Sequence, residues 1–174
     1  MALHKIKKNK ILVLLDFENL LINYSSRLII EELNKTLKQI AQEIGEISKV
    51  FVFVPHNTAS LFAKDFYMAR FITILCPKIK AKNGQTDNDT TDEIMLGFGQ
   101  EIITEMPSLT HLFIGSGDID FLPLIIKASR TGLNVGLIVS GLNPLSFDLI
   151  KRIDKKPGTN EKMVYVLSLL EREN

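Results

Sequence analysis

Apolar residues occur along the chain in short, mostly apolar runs and in longer stretches with helical spacing. The runs predict strands buried on both faces of a parallel sheet, at residues 11–15, 50–54, 71–75, 109–114 and 135–139. Apolar residues recurring every three or four positions predict helices at residues 28–44, 58–70, about 89–106 and 122–129. The polar stretch at residues 78–88 shows no clear period and predicts a loop.

Strands that alternate with helices, without hairpin signals between them, define the expected fold class. The pattern predicts an α/β protein with an open, mostly parallel, doubly wound sheet of about five strands and helices on both faces. Residues 1–174 are interpreted as one domain with a basic tail at about residues 1–10. Residues 145–153 predict a short helix and 155–160 a turn, and 163–167 fit either a last strand or the start of a terminal helix.

Composition and charge narrow the functional classes. Hydrophobic residues make up 45% of the chain, as in a folded globular protein, and the formal net charge is +1. A nucleic acid would therefore be held by a local basic patch rather than by the overall field. The basic run at residues 4–10 is a candidate, although the run by itself favours a solvated N-terminal tail.

Cysteine usage and hydropathy predict a soluble cytoplasmic protein. Cys76 is the only cysteine, so no internal disulfide is expected, and it fits a small apolar residue at a strand end. Asp16 and Glu18 interrupt the first apolar run, so it is too short for a signal peptide. No segment approaches the length of a membrane span.

Acidic residues gather at three predicted element ends. They follow the first and fourth strands and open the third helix, at Asp16, Glu18, Asp118, Asp120, Asp87, Asp89, Asp92 and Glu93. In a doubly wound sheet the first and fourth strands are neighbours at the point where the strand order reverses, and sites form there. Crowded carboxylates repel one another unless a cation lies between them. Carboxylate oxygens supplemented by water suit Mg²⁺ or Mn²⁺.

Structural roles compete with metal binding for some of these residues. Asp89 is interpreted as a helix N-cap, and Asp92 fits either a ligand or a partner of the helix dipole. Asp120 fits either metal contact or the cap of a helix that begins at Phe121. Asp16 ends a fully apolar strand without an evident capping duty, and Asp118 follows a Gly-Ser-Gly turn, so both are expected ligands.

Other site chemistries have weaker support. The segment Gly115-Ser116-Gly117 lacks the third glycine of a dinucleotide fingerprint, because position 120 is aspartate. There is no Walker motif, so no nucleotide cofactor is expected. The three histidines, at positions 4, 56 and 111, show no metal-ligand spacing.

Three segments resemble the NYN domain family, a branch of the PIN-like nucleases that includes LabA-like bacterial proteins. Residues 16–19 (DFEN) are similar to its D-x-x-N opening, and 91–96 (TDEIML) to its T/V-D-x-x-L segment. Residues 116–124 (SGDIDFLPL) are similar to its S-G-D-x-D-F-x-P-L signature. The resemblance covers roughly residues 10–150.

The resemblance implies a PIN-like fold, RNA as substrate and a metal-dependent nuclease reaction. It implies Asp16, Asp92 and Asp118 as ligands of Mg²⁺ or Mn²⁺, with Asp120 as a further catalytic acid. Asn19 and Ser116 would support them. From its position, Asn19 fits either a residue that orients Asp16 through its amide or one that simply opens the next segment. Where many members carry another acid, this chain has Phe98.

Lysines in the loop before the third helix are candidates for contacts with the phosphates of RNA, Lys80 and Lys82 above all, with Lys78 beside them. A solvated loop is the alternative. A non-catalytic RNA- or protein-binding module, a D-x-D phosphatase and a Toprim-like metal site also remain open, as does a homodimer.

Overall fold

The computed structural model describes residues 9–22, 28–79, 88–141, 149–151, 153 and 163–167. Its strands are β1 Lys10–Asp16, β2 Glu46–Pro55, β3 Ile72–Cys76, β4 Lys78–Ile79, β5 Asn88–Asp89, β6 His111–Gly115, β7 Asn134–Val139 and β8 Val164–Val166. Its helices are α1 Phe17–Leu21, α2 Leu28–Glu43, α3 His56–Met68, α4 Thr91–Glu105, a 3₁₀ helix at Ile119–Phe121, and α5 Leu122–Arg130.

Six strands form one parallel sheet in the order β3-β2-β1-β6-β7-β8. β1 lies between β2 and β6, so the winding of the chain reverses beside β1, as in other doubly wound sheets. The predicted fold class is confirmed, and so is the predicted adjacency of the first and fourth long strands, β1 and β6. Residues 164–166 add the sixth strand, which decides between the two interpretations of that segment in favour of a strand.

Aromatic side chains fix helices to the sheet and to one another. Phe98 of α4 packs against Phe51 and Phe53 of β2, with ring centroids 4.7 and 5.5 Å apart. On the other face α3 covers β2 and β3, and its Phe62 and Phe66 pack edge-on against Phe17. β1 is buried from Ile11 to Asp16, which explains its unbroken apolar run.

Two local predictions are wrong. The stretch predicted as a loop contains β4 and β5, which pair antiparallel as a two-stranded ribbon; residues 80–87 lie outside the described part of the chain. Helix α4 begins at Thr91 with Thr90 at its N-cap, so Asp89 is not the cap and belongs to β5 instead. The Thr90 hydroxyl donates to the carbonyl of Pro77 over 2.6 Å, which ties the start of α4 to the end of β3.

The remaining predictions divide between described and undescribed residues. The residue after β3 is Pro77, and Cys76 is buried at the end of that strand, as expected of a small apolar residue. The basic run, the turn at residues 155–160, Lys80 and Lys82 lie wholly or largely outside the described residues. Among the helices that the structure describes, none is long and apolar enough to cross a membrane.

Candidate metal centre

The carboxyl ends of β1 and β6 lie side by side and carry the predicted polar residues. Leu15 pairs with Gly115, so Asp16 and Ser116 leave the sheet at the same level. Helix α4 packs against β1 and against the 3₁₀ helix that follows β6. The first turn of α4, which contains Asp92, therefore meets the turn that contains Asp118.

Asp92, Asp118 and Asp120 form an acid cluster at this point. Each offers one carboxylate oxygen, and the three oxygens lie within 4.8 Å of one another. Asp92 and Asp118 are partly buried, whereas Asp120 is exposed. Oxygens bound to one Mg²⁺ lie about 2.0–2.1 Å from the ion and hence at most about 4 Å apart. Small side-chain rotations would therefore bring the three oxygens onto one cation, so the cluster can hold a metal ion.

The acids of the cluster carry like charges at short range. No lysine or arginine in the described part of the chain forms an ion pair with Asp118 or Asp120. Two like charges at this separation repel by about 1 kcal/mol in a water-like dielectric, and by more where water is partly excluded. A divalent cation replaces that repulsion with attraction, and hard oxygen donors select hard cations such as Mg²⁺ or Mn²⁺.

The turn after β6 is held by its own polar groups. The Asp118 backbone N–H donates to the buried Ser116 hydroxyl over 3.2 Å, and the Asp120 N–H donates to Asp118 Oδ1 over 3.0 Å. Asp118 is thus the N-cap of the 3₁₀ helix. The alternative in which Asp120 caps a helix starting at Phe121 is wrong, because the helical turn begins two residues earlier, at Ile119. Asp120 is consequently available to the acid cluster.

Asn19 connects three strand ends. Its side-chain Oδ1 accepts the Gly117 N–H over 3.0 Å, and its backbone N–H donates to Asp16 Oδ1 over 3.2 Å. The Ser140 hydroxyl, just after β7, donates to the Asn19 carbonyl over 3.4 Å. The expected contact between the Asn19 amide and Asp16 is therefore replaced by a backbone contact. The amide oxygen holds the turn after β6 instead.

Asp16 has a structural duty that the sequence pattern did not reveal. It is 6% exposed and caps α1, a five-residue helix that starts at the very next residue. The expectation that it lacks a capping duty is wrong, because its Oδ1 accepts from a first-turn N–H as N-caps do. Asp16 also lies outside the acid cluster. Of the expected ligands Asp16, Asp92 and Asp118, the structure brings the last two together, with Asp120 as the third.

Gly115 is required by the contact between neighbouring strands. A Cβ atom at this position would overlap the Leu15 side chain and lie 3.1 Å from Leu20 Cδ1. Gly115 does not have a positive φ, so the glycine serves close approach rather than a left-handed turn. The last residue of β6 can therefore lie directly against β1, and the acids that follow β6 remain close to the switch point.

A second polar group at the same edge was not predicted. Glu18 accepts a hydrogen bond from the Thr58 hydroxyl over 2.6 Å, and its other oxygen lies 3.5 Å from Lys78 Nζ. These residues follow β1, β2 and β3, respectively, so the network joins the carboxyl ends of three strands. The lysine is partly exposed. The position of Glu18 two residues after Asp16 was the only sequence signal for this network.

Comparison with known proteins supports the fold. A crystal structure of VPA0982, a protein of unknown function from Vibrio parahaemolyticus, is similar with a TM-score of 0.62. The two chains are 19% identical, and the match covers 85% of this chain and 91% of the other. At this identity the likeness concerns the fold alone. No protein-family model matches the sequence, and no curated protein matches it.

The fold and the site together define a class of protein. The chain is a doubly wound α/β protein with three aspartates, suited to a metal ion, beside the reversal point of its sheet.

Proposed function

We propose that the protein is a metal-dependent ribonuclease of the NYN type that hydrolyses phosphodiester bonds at the acid cluster. The observation that carries the proposal is the meeting of Asp92, Asp118 and Asp120 with their oxygens within 4.8 Å. These residues come from two of the three segments that resemble NYN domains. Their location beside the reversal point of the sheet is where doubly wound folds place ligands.

The cluster is the group that would hold Mg²⁺ or Mn²⁺. When bound, such an ion supplies Lewis acidity, which activates water and stabilises the charge that develops on a phosphate. Asn19 and Ser116 fix the turn that carries Asp118 through hydrogen bonds to backbone N–H groups. Asp16 fixes α1, and thereby Asn19, through its cap. Its role in this proposal is to position, whereas the resemblance implied direct ligation.

Lysines near the same edge are candidates for contacts with the substrate backbone. Lys78 lies at the carboxyl end of the sheet, paired with Glu18, where it can attract a phosphate. Lys80 and Lys82 follow it in the sequence and keep the role predicted from their position. Because the formal net charge is +1, RNA affinity should depend on this local group and fall with salt.

Cleavage of a labelled single-stranded RNA with Mn²⁺ tests the proposal. We expect Asp92→Asn and Asp118→Asn each to lower the rate at least about 100-fold, because loss even of a group that supports a ligand costs about 10–100-fold. Asparagine at position 118 can still cap the 3₁₀ helix, so the fold should persist. Glu101→Gln is the matched control, since Glu101 is an exposed acid on α4 outside the acid cluster. Equal cleavage by all four proteins would indicate a contaminating nuclease and end the proposal.

A non-catalytic RNA- or protein-binding module is the second candidate. The observation that favours it is Phe98, which stands where many NYN domains carry another acid and packs instead on Phe51 and Phe53. A carboxylate there would face the apolar side of the sheet. Metal-independent RNA binding in EDTA, without cleavage on adding Mn²⁺, would favour this candidate over the nuclease.

A further inference from the structure

Strand β3 is an open edge of the sheet. It is the first strand in the sheet order, and within the described residues only β2 pairs with it. Ile72 and Leu75 are 42% and 54% exposed, whereas β1 is almost wholly buried. The strand has no charged residue and no proline between residues 72 and 76, the residue types with which natural edge strands often prevent pairing. Its backbone is therefore a template for another strand.

A groove runs along this edge between β3 and α3. It encloses about 330 Å³ and is floored by Phe66, a nearly fully buried ring. Its lining contains no aspartate, glutamate, lysine or arginine: it consists of His56, Ala59, Ser60, Ala63, Phe66, Thr73 and Leu75. An uncharged groove beside an unpaired strand fits a protein surface better than it fits a polyanion.

Helix α3 presents a stripe of exposed residues along the same edge. The stripe comprises His56, Ser60, Ala63 and Tyr67, which are four, three and four residues apart and hence on one side of the helix. Its two central residues are small, which permits another helix to approach closely. Packed helices are about 8–10 Å apart, roughly the width of two strands. The next helix of this layer would therefore lie over the far side of β3, where the described chain has none.

We propose that a second copy of this chain occupies the edge, with β3 paired antiparallel to its counterpart and α3 packed against its counterpart across the twofold axis. The occupant must offer a strand and a helix at this spacing, and the chain itself has both. A twofold contact brings like residues near one another, so charges of one sign would repel. The groove lining has no such charges. An extended peptide would supply a strand but no helix, and would leave Tyr67 79% exposed.

The arrangement has a consequence for the acid clusters. Antiparallel pairing of β3 with its counterpart would make one continuous sheet from two parallel halves that run in opposite directions. The carboxyl ends of the strands of one copy would then point in the opposite direction to those of the other copy. The two acid clusters would lie on opposite sides of the joint sheet. The dimer does not depend on the proposed nuclease activity.

Sedimentation equilibrium of the full chain over a range of concentrations tests the dimer. We expect a species of twice the 19.6 kDa chain mass. In Tyr67→Glu the dissociation constant of this dimer should be at least about tenfold higher. Leu61→Glu is the matched control, because Leu61 is 80% exposed on the same helix but lies about 120° away around its axis. A monomer at every concentration, or equal effects of the two substitutions, would overturn the proposal.

A charge pair at Ala63 provides a test that does not rely on one variant. Ala63 is exposed near the middle of the stripe, so Ala63→Glu and Ala63→Lys should each fold, which circular dichroism can verify. Each alone should be monomeric, because the twofold contact places like charges together. Their mixture should regain a dimer. Dimers in each separate variant, or no recovery on mixing, would rule out the antiparallel contact between the helices.

Discussion

Two regions of the sheet, the switch point between β1 and β6 and the edge strand β3, differ in the side chains that they present. At the switch point, the ends of β1 and β6 carry charged and amide side chains, of which Asp16, Asn19 and Asp118 each accept a backbone N–H. At the β3 edge, Ile72 and Leu75 are exposed apolar side chains and the adjacent groove is uncharged. The first arrangement positions oxygens for a cation, whereas the second suits contact with another protein surface.

The difference between the two regions is that hydrogen bonds fix the polar side chains at the switch point in place. The turn after β6 is fixed by a chain of hydrogen bonds that leads from Asp16 to Asn19 and from Asn19 to Gly117. Each of these hydrogen bonds pairs a backbone N–H group that would otherwise lack an acceptor inside the protein. The β3 edge has no comparable restraint among the described residues, so substitutions there should change association rather than folding.

A large loss of stability is expected at the contact between β1 and β6. Gly115→Ala should lower the free energy of unfolding by about 1–3 kcal/mol, because the added methyl group overlaps Leu15 in a packed core. Gly97→Ala on α4 is the control, since nothing lies within 4 Å of a Cβ there, and it should raise stability by about 0.5–1 kcal/mol. Urea unfolding measures both. A neutral Gly115→Ala would show that the two strands do not need this close approach.

A smaller loss is expected when the tie between the strand ends is removed. Asn19→Ala leaves the buried Gly117 N–H without its acceptor, which should cost about 1–3 kcal/mol, toward the lower end if water enters. The turn that carries Asp118 would also loosen, so Mn²⁺ affinity should fall about tenfold. Asn57→Ala, at an exposed position of α3, should change neither quantity. Unchanged Mn²⁺ affinity in Asn19→Ala would show that this tie does not position the acid cluster.

The smallest effect on stability is expected at the open edge. Leu75→Thr should change the free energy of unfolding by less than about 0.5 kcal/mol when measured at a concentration where the chain is monomeric, because the side chain is 54% exposed. Leu14→Ala, in the fully buried β1, should cost about 2–5 kcal/mol in the same assay. A loss at Leu75 comparable with that at Leu14 would show that the edge is already covered within one chain.

Sequence patterns predicted the sheet well because its central strands are buried on both faces. β1, β6 and β7 have mostly apolar sequences, and the structure places these strands within about two residues of their predicted bounds. The exposed β3 has an equally apolar sequence, Ile-Thr-Ile-Leu-Cys, so hydrophobicity could not distinguish an edge strand from a central one. Its exposure follows from the sheet order, a property of the whole chain.

At the candidate site, the sequence identified the acids but not which of them cap helices and which form the acid cluster. Asp16 caps α1, which begins at the next residue, and lies outside the acid cluster. This role was not predicted because a helix of five residues has too little periodicity to be recognised in the sequence. The same limit applies to the three-residue 3₁₀ helix, whose presence makes Asp118 rather than Asp120 the cap. The Asn19 contact with Gly117 joins residues 98 positions apart, and no local pattern contains such information.

Calorimetric titration of the metal-free protein with Mn²⁺ tests most directly the claim that Asp92, Asp118 and Asp120 bind the metal. We predict binding that is weakened at least about tenfold in Asp118→Asn and in Asp120→Asn, because each removes a charged ligand. Asp16→Asn should bind within about twofold of the unaltered protein, since asparagine can still cap α1. Binding that is lost in Asp16→Asn but retained in Asp120→Asn, or no binding by the unaltered protein, would contradict the assignment of the metal to Asp92, Asp118 and Asp120.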